Sequence, residues 1–386
     1  MNFPESIFNW TRSFFPEVAE NMENSGARLQ IELNRNQTKR ILICRPNHRL
    51  GNLLLLTPLL QEVAEVFPDC KIDLFVKGNL SRILFENYKN IDRIIQLPKR
   101  PFQRLINYVY TWTLIKKYEY DMVINVDQSS SSGRLSVRIA NSRRKVLGEV
   151  VDVLKSQFND YEHHAKFPVY NFRNHLKKMR IVELDKPIPT LNLKLDPFEL
   201  SSGKKILNRL VPSRKKTICL FTYATGDKCY SESWWNDFYE RLRIEFPHFN
   251  FIEVLPIQNV SKLSFKVPTF YSRDIRQIGA VIANTHLFIG ADSGMMHLAS
   301  AAHVPTVGLF SVTDQKRYEP YNNNSIAINT NYRNTETCVH TVAAVLDGIG
   351  LEKGNWIDKM KSRVIEDNPP STGLLSARSI FANDKM

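Results

Sequence analysis

Cysteine is scarce in this chain and never arranged in pairs. Cys44, Cys70, Cys219, Cys229 and Cys338 are five in number, with no C-x-x-C spacing. That argues against a disulfide framework and a cysteine zinc site, and points to ordinary reduced thiols. Long apolar runs are missing as well. The densest, Leu53 to Leu56 with Leu59 and Leu60, is interrupted by Thr57 and Pro58. It falls far short of the roughly 20 residues needed to cross a bilayer. Met1 to Phe15 contains Pro4, Glu5, Asn9 and Arg12 where a secretory signal needs unbroken apolar sequence, so a cytoplasmic location is expected. No internal repeat or low-complexity tract stands out. Acidic residues are the scarcer charge, 39 against 52 Lys and Arg, which leaves a formal +13. Such a surface attracts phosphates, anionic glycolipids or nucleic acid, or serves solubility alone, and charge does not choose among these.

What is present suits two globular domains. The 386 residues, 43% apolar and 24% charged, are more than one core usually holds. Residues 1–38 form an amphipathic preface with a stripe of Phe3, Ile7, Phe8, Trp10, Phe14, Phe15 and Val18 broken at Pro16. It reads as a docked helix or as a foot on a membrane surface. From Arg40 the pattern becomes alternating. Ile41–Cys44 is a buried strand, a polar turn runs through Gly51-Asn52, Leu53–Val66 suits one helix, and Lys71–Val76 is a second strand. Ile94–Leu97 and Met122–Val126 are further strands of a first unit spanning 39–200. Residues 201–350 repeat the alternation: strands at Ile218–Phe221, Phe251–Leu255, Leu287–Gly290 and Thr306–Phe310, and helices at Trp234–Phe246, Ile275–Ala283, Met295–Ala302 and 335–350. This predicts an α/β protein of two doubly wound, Rossmann-like domains facing a central cleft. Residues 351–386 read as an irregular tail.

In such folds function sits in the loops after strands, and three of these carry unusual chemistry. In Phe288-Ile289-Gly290-Ala291-Asp292-Ser293-Gly294-Met295-Met296-His297 a strand gives way to small residues and at once to a helix. Asp292 or Ser293 can cap that helix, Gly294 admits a close backbone approach, and the helix N-terminus favours a phosphate. A capped helix start with a packed histidine fits the same spacing. The loop Arg45-Pro46-Asn47-His48-Arg49-Leu50-Gly51-Asn52 follows the first strand, and Thr222 to Trp234, with Thr225 and Lys228, precedes the first helix of the second domain. Arg134, Arg138, Arg143, Arg144 and Lys145 form a basic group beyond the strand ending at Val126, either a solvated face or a site for a phosphate-bearing acceptor. It lacks interleaved aromatics, so no nucleic-acid partner is expected.

The Asp-Ser-Gly loop with His297 three residues on, an alanine-rich helix, Pro305, and a strand ending in Leu309-Phe310-Ser311-Val312-Thr313-Asp314 resembles the signature of the heptosyltransferases, glycosyltransferase family nine. The resemblance covers roughly residues 40–350. It implies a GT-B fold and inverting sugar transfer without metal ion or cofactor. The donor is ADP-heptose or another nucleoside diphosphate sugar, and the acceptor lipopolysaccharide or a related glycan. The donor diphosphate then lies at Asp292, Ser293, Gly294, Met295 and His297, with Lys228 neutralising phosphate and Thr222 and Thr225 adding hydrogen bonds. Arg49 and Asn52 match the family's other signature, whose aspartate, the base for the acceptor hydroxyl, is here Asn52. An amide orients a hydroxyl but accepts no proton at neutral pH. Asp127, at the end of a strand, and His48, with an ordinary pKa near 6.5, are the substitutes to weigh; each also reads as a turn or surface residue. Arg134, Arg138 and Arg143 are candidates for holding the acceptor. A glycolipid acceptor adds the expectation of a peripheral contact with the inner face of the cytoplasmic membrane. A glycan-binding or scaffold protein that keeps the fold without transfer is the alternative.

Overall fold

A computed structural model describes residues 38–348 apart from 100–102, 180–185 and 322–323. The tail at 351–386 and all of the preface but Thr38 therefore lie outside the described residues. The first domain is built on strands β1 (Arg40–Arg45), β2 (Lys71–Lys77), β3 (Ile91–Leu97), β4 (Glu119–Tyr120), β5 (Met122–Asn125), β6 (Asn141–Ser142) and β7 (Lys145–Val146). Five of them form one sheet in the order β3-β2-β1-β5-β7, while β4 pairs with β6. The second domain holds β8 (Lys216–Phe221), β9 (Phe249–Val254), β10 (Thr269–Phe270), β11 (Leu287–Ala291), β12 (Thr306–Phe310) and β13 (Ile326–Asn329). Their order is β10-β9-β8-β11-β12-β13. Every pairing is parallel. Helices cover both faces of such a sheet, which is why its central strands, Ile41-Leu42-Ile43-Cys44 and Leu287-Phe288-Ile289, are continuous apolar runs instead of alternating ones.

Both sheets reverse direction once. The chain winds from β1 out to β3 and returns to β5; in the second domain it winds from β8 out to β10 and returns to β11. The two switch points, β1/β5 and β8/β11, are where the crossover helices splay apart and leave a crevice at the carboxyl ends of the strands.

The apolar run expected to form one helix over Leu53–Val66 forms two. One helix covers Leu50–Leu54 and the next Thr57–Val66, with Pro58 in the first turn of the second. Proline's missing N–H is harmless there but would break a helix interior, so the chain turns at Leu55-Leu56. Asn52 consequently sits on a helix and not in the preceding loop. The helix Pro197–Leu210 begins at an Asp196/Glu199 capping box and packs on Ile275–Ala283 of the second domain. A domain limit at residue 200 thus falls inside a helix that goes with the second sheet.

The domains share core. Leu53 to Leu56 of the first and Met295, Met296, Leu298 and Ala299 of the second belong to one apolar cluster. Arg276, 3% exposed, adds a polar pin: it bonds Glu199 at 2.6 and 2.7 Å and reaches the carbonyls of Leu84 and Leu193 at 3.3 and 3.1 Å.

Candidate functional site

Each switch point is bridged by an ion pair. At β1/β5, Arg45 ends its strand buried and meets Asp127 at 2.8 Å. At β8/β11, Lys228 meets Asp292 at 2.5 Å. Arg45 opens the first-domain loop that the sequence marks out, but no role was expected of it there; a charged residue closing an otherwise apolar buried strand was the signal for one.

The helices that leave these switch points pack their first turns together. Leu50–Leu54 and Gly294–Ala301 bring their N-termini together. A Cβ on Gly51 would come within 2.7 Å of His297 Cδ2, and one on Gly294 within 3.0 Å of Leu50 Cβ. The close approach that Gly294 permits is therefore made, in this structure, to the Leu50 side chain and the Gly51 amide nitrogen. The N-terminus of Gly294–Ala301 thus lies against the first turn of Leu50–Leu54, and a helix N-terminus of that length suits an anion.

Neither expected side-chain cap forms on Gly294–Ala301. Ser293 occupies the N-cap position without a capping hydrogen bond, and Asp292 turns to Lys228 instead. Among the described residues Ser293 Oγ, which is buried, has no partner, and neither has His297 Nδ1. Such orphans carry a desolvation cost of roughly 1–3 kcal/mol each unless something else satisfies them. Burial pushes the His297 imidazole down to about 4; Lys228 adds to the fall and Asp292 opposes it. His297 is thus neutral near pH 7, with one nitrogen free to donate or accept.

The third loop contributes less than expected. Lys228 closes a short turn at Gly226–Lys228 and faces Asp292, and Thr225 stands exposed beside it. Thr222 is buried, and its hydroxyl donates to Glu253 Oε1 at 2.5 Å and accepts from Lys262 N at 3.1 Å. That proton is not available for a donor phosphate.

On the acceptor side Asp127 faces the cleft as its strand-end position predicts. It lines a pocket of about 280 Å³ shared with Asp314 and Arg317 of the second domain. Burial opposes its ionisation, but Arg45 and the Ser129 hydroxyl and amide together hold its carboxyl below the usual carboxylate range. His48 is exposed; burial, then Lys77, Lys99 and Arg49, lower its pKa, so it is an unprotonated imidazole near pH 7. Arg49 is exposed at the N-cap of Leu50–Leu54, and Asn52 is half-buried on that helix.

The basic group is divided by its own helix. Arg134 lies in the first turn of Ser131–Ile139 and donates to the Gln128 carbonyl at 2.9 Å, beside the pocket. Nine residues carry the chain back along the sheet, so Arg138 ends the helix and Arg143 follows β6, which pairs with β4 just ahead of β5. Both lie at the amino edge, away from the cleft. Sequence reading also missed His164 and Tyr318. Their rings are 4.6 Å apart, and Tyr318 lies 6.4 Å from His297, so they link the pocket to the 292–297 loop.

Residues 272–345 match the family model of glycosyltransferase family 9 (heptosyltransferase). The chain is similar to lipopolysaccharide heptosyltransferase 3 of Escherichia coli, 21% identical over 295 residues, covering 72% of this chain and 85% of the relative. Among solved structures it resembles a family 9 glycosyltransferase of Veillonella parvula, with TM-score 0.60, 15% identity, and 87% and 98% of the two chains covered. It also resembles the E. coli heptosyltransferase WaaC with ADP, with TM-score 0.57, 16% identity, and 79% and 99% covered. The architecture is GT-B, and the chain is heptosyltransferase-like.

Proposed function

We propose that this heptosyltransferase-like chain moves a sugar, heptose or a related one, from a nucleoside diphosphate donor such as ADP-heptose to a hydroxyl of lipopolysaccharide or another surface glycan. One observation carries the reading. The first turns at Leu50 and Gly294 meet beside Lys228, with the Ser293 hydroxyl and His297 Nδ1 left without partners. A diphosphate answers all of these at once. Backbone N–H groups, a lysine and two neutral polar atoms would stabilise charge as it grows on the departing phosphate, which is the largest contribution a protein makes to this kind of transfer. We propose that these groups supply the field without a metal ion. Attack by the acceptor hydroxyl from the side opposite the leaving diphosphate forms the new C–O bond as the old one breaks, inverting the anomeric carbon.

On the other side of the cleft Arg49 and Asn52 are proposed to position the acceptor. The proton of its hydroxyl then needs a base. Asp127 is ionised and faces the cleft but is held by Arg45; His48 is neutral and unpaired but exposed. Asn52 also supports a second reading, a glycan-binding or scaffold protein that retains donor binding without transfer. Incubation with ADP-heptose and an extracted lipopolysaccharide panel, read by mass spectrometry, separates the two: transfer supports the enzyme, and ADP binding with no transfer across the panel moves the assignment to the binder.

A peripheral contact with the inner face of the cytoplasmic membrane belongs to this proposal. The helix Leu105–Lys117 turns Leu105, Ile106 and Tyr110 to solvent, 50%, 85% and 61% exposed. Arg104 at its N-cap and Lys116 and Lys117 in its last turn are exposed as well, a mixture of apolar and basic side chains that suits an anionic lipid surface.

A further inference from the structure

The pocket between the domains is balanced in charge, which bears on what can enter it. Asp127 is neutralised by Arg45 at 2.8 Å and Glu162 by Lys155 at 2.7 Å. Asp314 caps the short helix Gln315–Tyr318, three residues ahead of Arg317 on the same turn. All but Arg45 line the cavity directly. Behind them Tyr161 and Phe167, with ring centroids 5.2 Å apart, form an apolar wall.

We propose that this pocket receives a neutral, polyhydroxylated sugar ring of the acceptor glycan, an inference that rests on the transferase reading above. A phosphate or carboxylate placed here would meet Asp127, Glu162 and Asp314 along with Lys155 and Arg317 and would gain no net field. A hydroxyl both donates and accepts, so it finds a partner at every one of these groups. The carbon face of the ring would lie on the Tyr161/Phe167 wall, in the usual manner of small-molecule sites with apolar walls and few polar contacts. The volume of about 280 Å³ is just below the roughly 300 Å³ at which drug-sized sites begin, consistent with a ligand of one or two rings. Location agrees as well. Tyr318 separates the pocket's His164 from His297, so a ring bound here lies next to the region assigned to the donor. The inference departs from the expectation that a phosphate-bearing acceptor sits on Arg134, Arg138 and Arg143, two of which lie at the far edge of the sheet.

The test is saturation-transfer NMR on the full chain with methyl mannopyranoside and its 6-phosphate, run beside a thermal-shift titration with ADP. The neutral glycoside should give the stronger signal, by roughly threefold or more. Val150→Trp, at the exposed rim of the pocket, should remove that signal and leave the ADP shift unchanged. Asp314→Asn, which removes one carboxylate, should raise the signal of the phosphate relative to the neutral ring. A stronger signal from the 6-phosphate in the wild type overturns the proposal. So does a glycoside signal that survives Val150→Trp in a protein whose melting temperature is unaltered, or no glycoside signal at all. If ADP fails to stabilise the wild type while the glycoside still binds at this pocket, the donor assignment fails and the neutral-ring site stands.

Discussion

Acidification should destabilise the fold through His297. The side chain is 3% exposed, and burial lowers its pKa from 6.5 to about 4. Because the folded value is the lower one, the unfolded chain takes up this proton first. The stabilising contribution is complete above about pH 6.5, declines as pH falls, and is exhausted near pH 4. Between about pH 7.5 and about pH 5, two such pKa values give a loss of about 2 kcal/mol from this one residue. His163, buried and pushed to about 3, adds a parallel loss, so the wild-type slope alone does not isolate His297. A difference between proteins does. Urea unfolding of the wild type and of His297→Asn at both pH values should show the variant losing about 2 kcal/mol less on acidification. Equal losses in the two proteins would mean that the imidazole titrates normally in the fold, and the buried, partnerless His297 on which the donor site relies would have to be abandoned.

Three further outcomes are expected. Lys228→Met should weaken ADP binding by roughly 10- to 100-fold, the value of a hydrogen bond between charged groups, and calorimetry that finds unchanged affinity would remove Lys228 from the site. If Asp127 or His48 is the base, Asp127→Asn or His48→Ala should lower kcat by about 10²- to 10⁴-fold with donor affinity nearly intact, while Asn52→Asp tests whether a carboxylate on the helix Leu50–Leu54 restores or disrupts transfer; full turnover in both single variants eliminates both candidates. Ile106→Glu should reduce sedimentation with anionic vesicles at low salt, and the wild type should be released as ionic strength rises; indifference to both changes would refute the membrane face.

Much of the architecture was legible because parallel strands buried on both faces are written as short apolar runs, and each run here is followed by a helical pattern. The loop at Asp292 to His297 was legible for a similar reason: a strand passing through small residues directly into a helix leaves few other geometries. The break at Leu55-Leu56 was written as well, in Pro58, since a proline inside a helical pattern ends the helix just ahead of it; reading the apolar run as one helix passed over that signal. Arg138 and Arg143 misled because closeness to a strand end in sequence says nothing about direction; nine helical residues return the chain to the opposite edge of the sheet. Thr222 looked like a phosphate ligand until Glu253, 31 residues on, was found to hold its hydroxyl. His164 and Tyr318 are 154 positions apart and come together only because the domains pack, so no local pattern could have joined them.

The two ion pairs suggest how the site is held ready. A lysine left alone beside the N-terminus of Gly294–Ala301 would face an unopposed positive field, and Asp292, 7% exposed, would be an expensive unpaired carboxylate. Pairing them resolves both problems in the ligand-free protein. A diphosphate carries more negative charge than one carboxylate and, bound as proposed, would reach the helix N–H groups that Asp292 does not bond and so would compete for Lys228. Asp292 would then be left close to the donor, able to accept from a sugar hydroxyl. The same logic applies across the cleft, where Arg45 holds Asp127 ionised. That arrangement favours binding and orientation at Asp127 over proton removal, because a carboxyl held below its usual range by a buried arginine is a weaker base than a free one. A base-loss signature at Asp127 would therefore require substrate binding to loosen the Arg45 pair, whereas one at His48 would need only that the exposed imidazole turn toward the helix bearing Asn52.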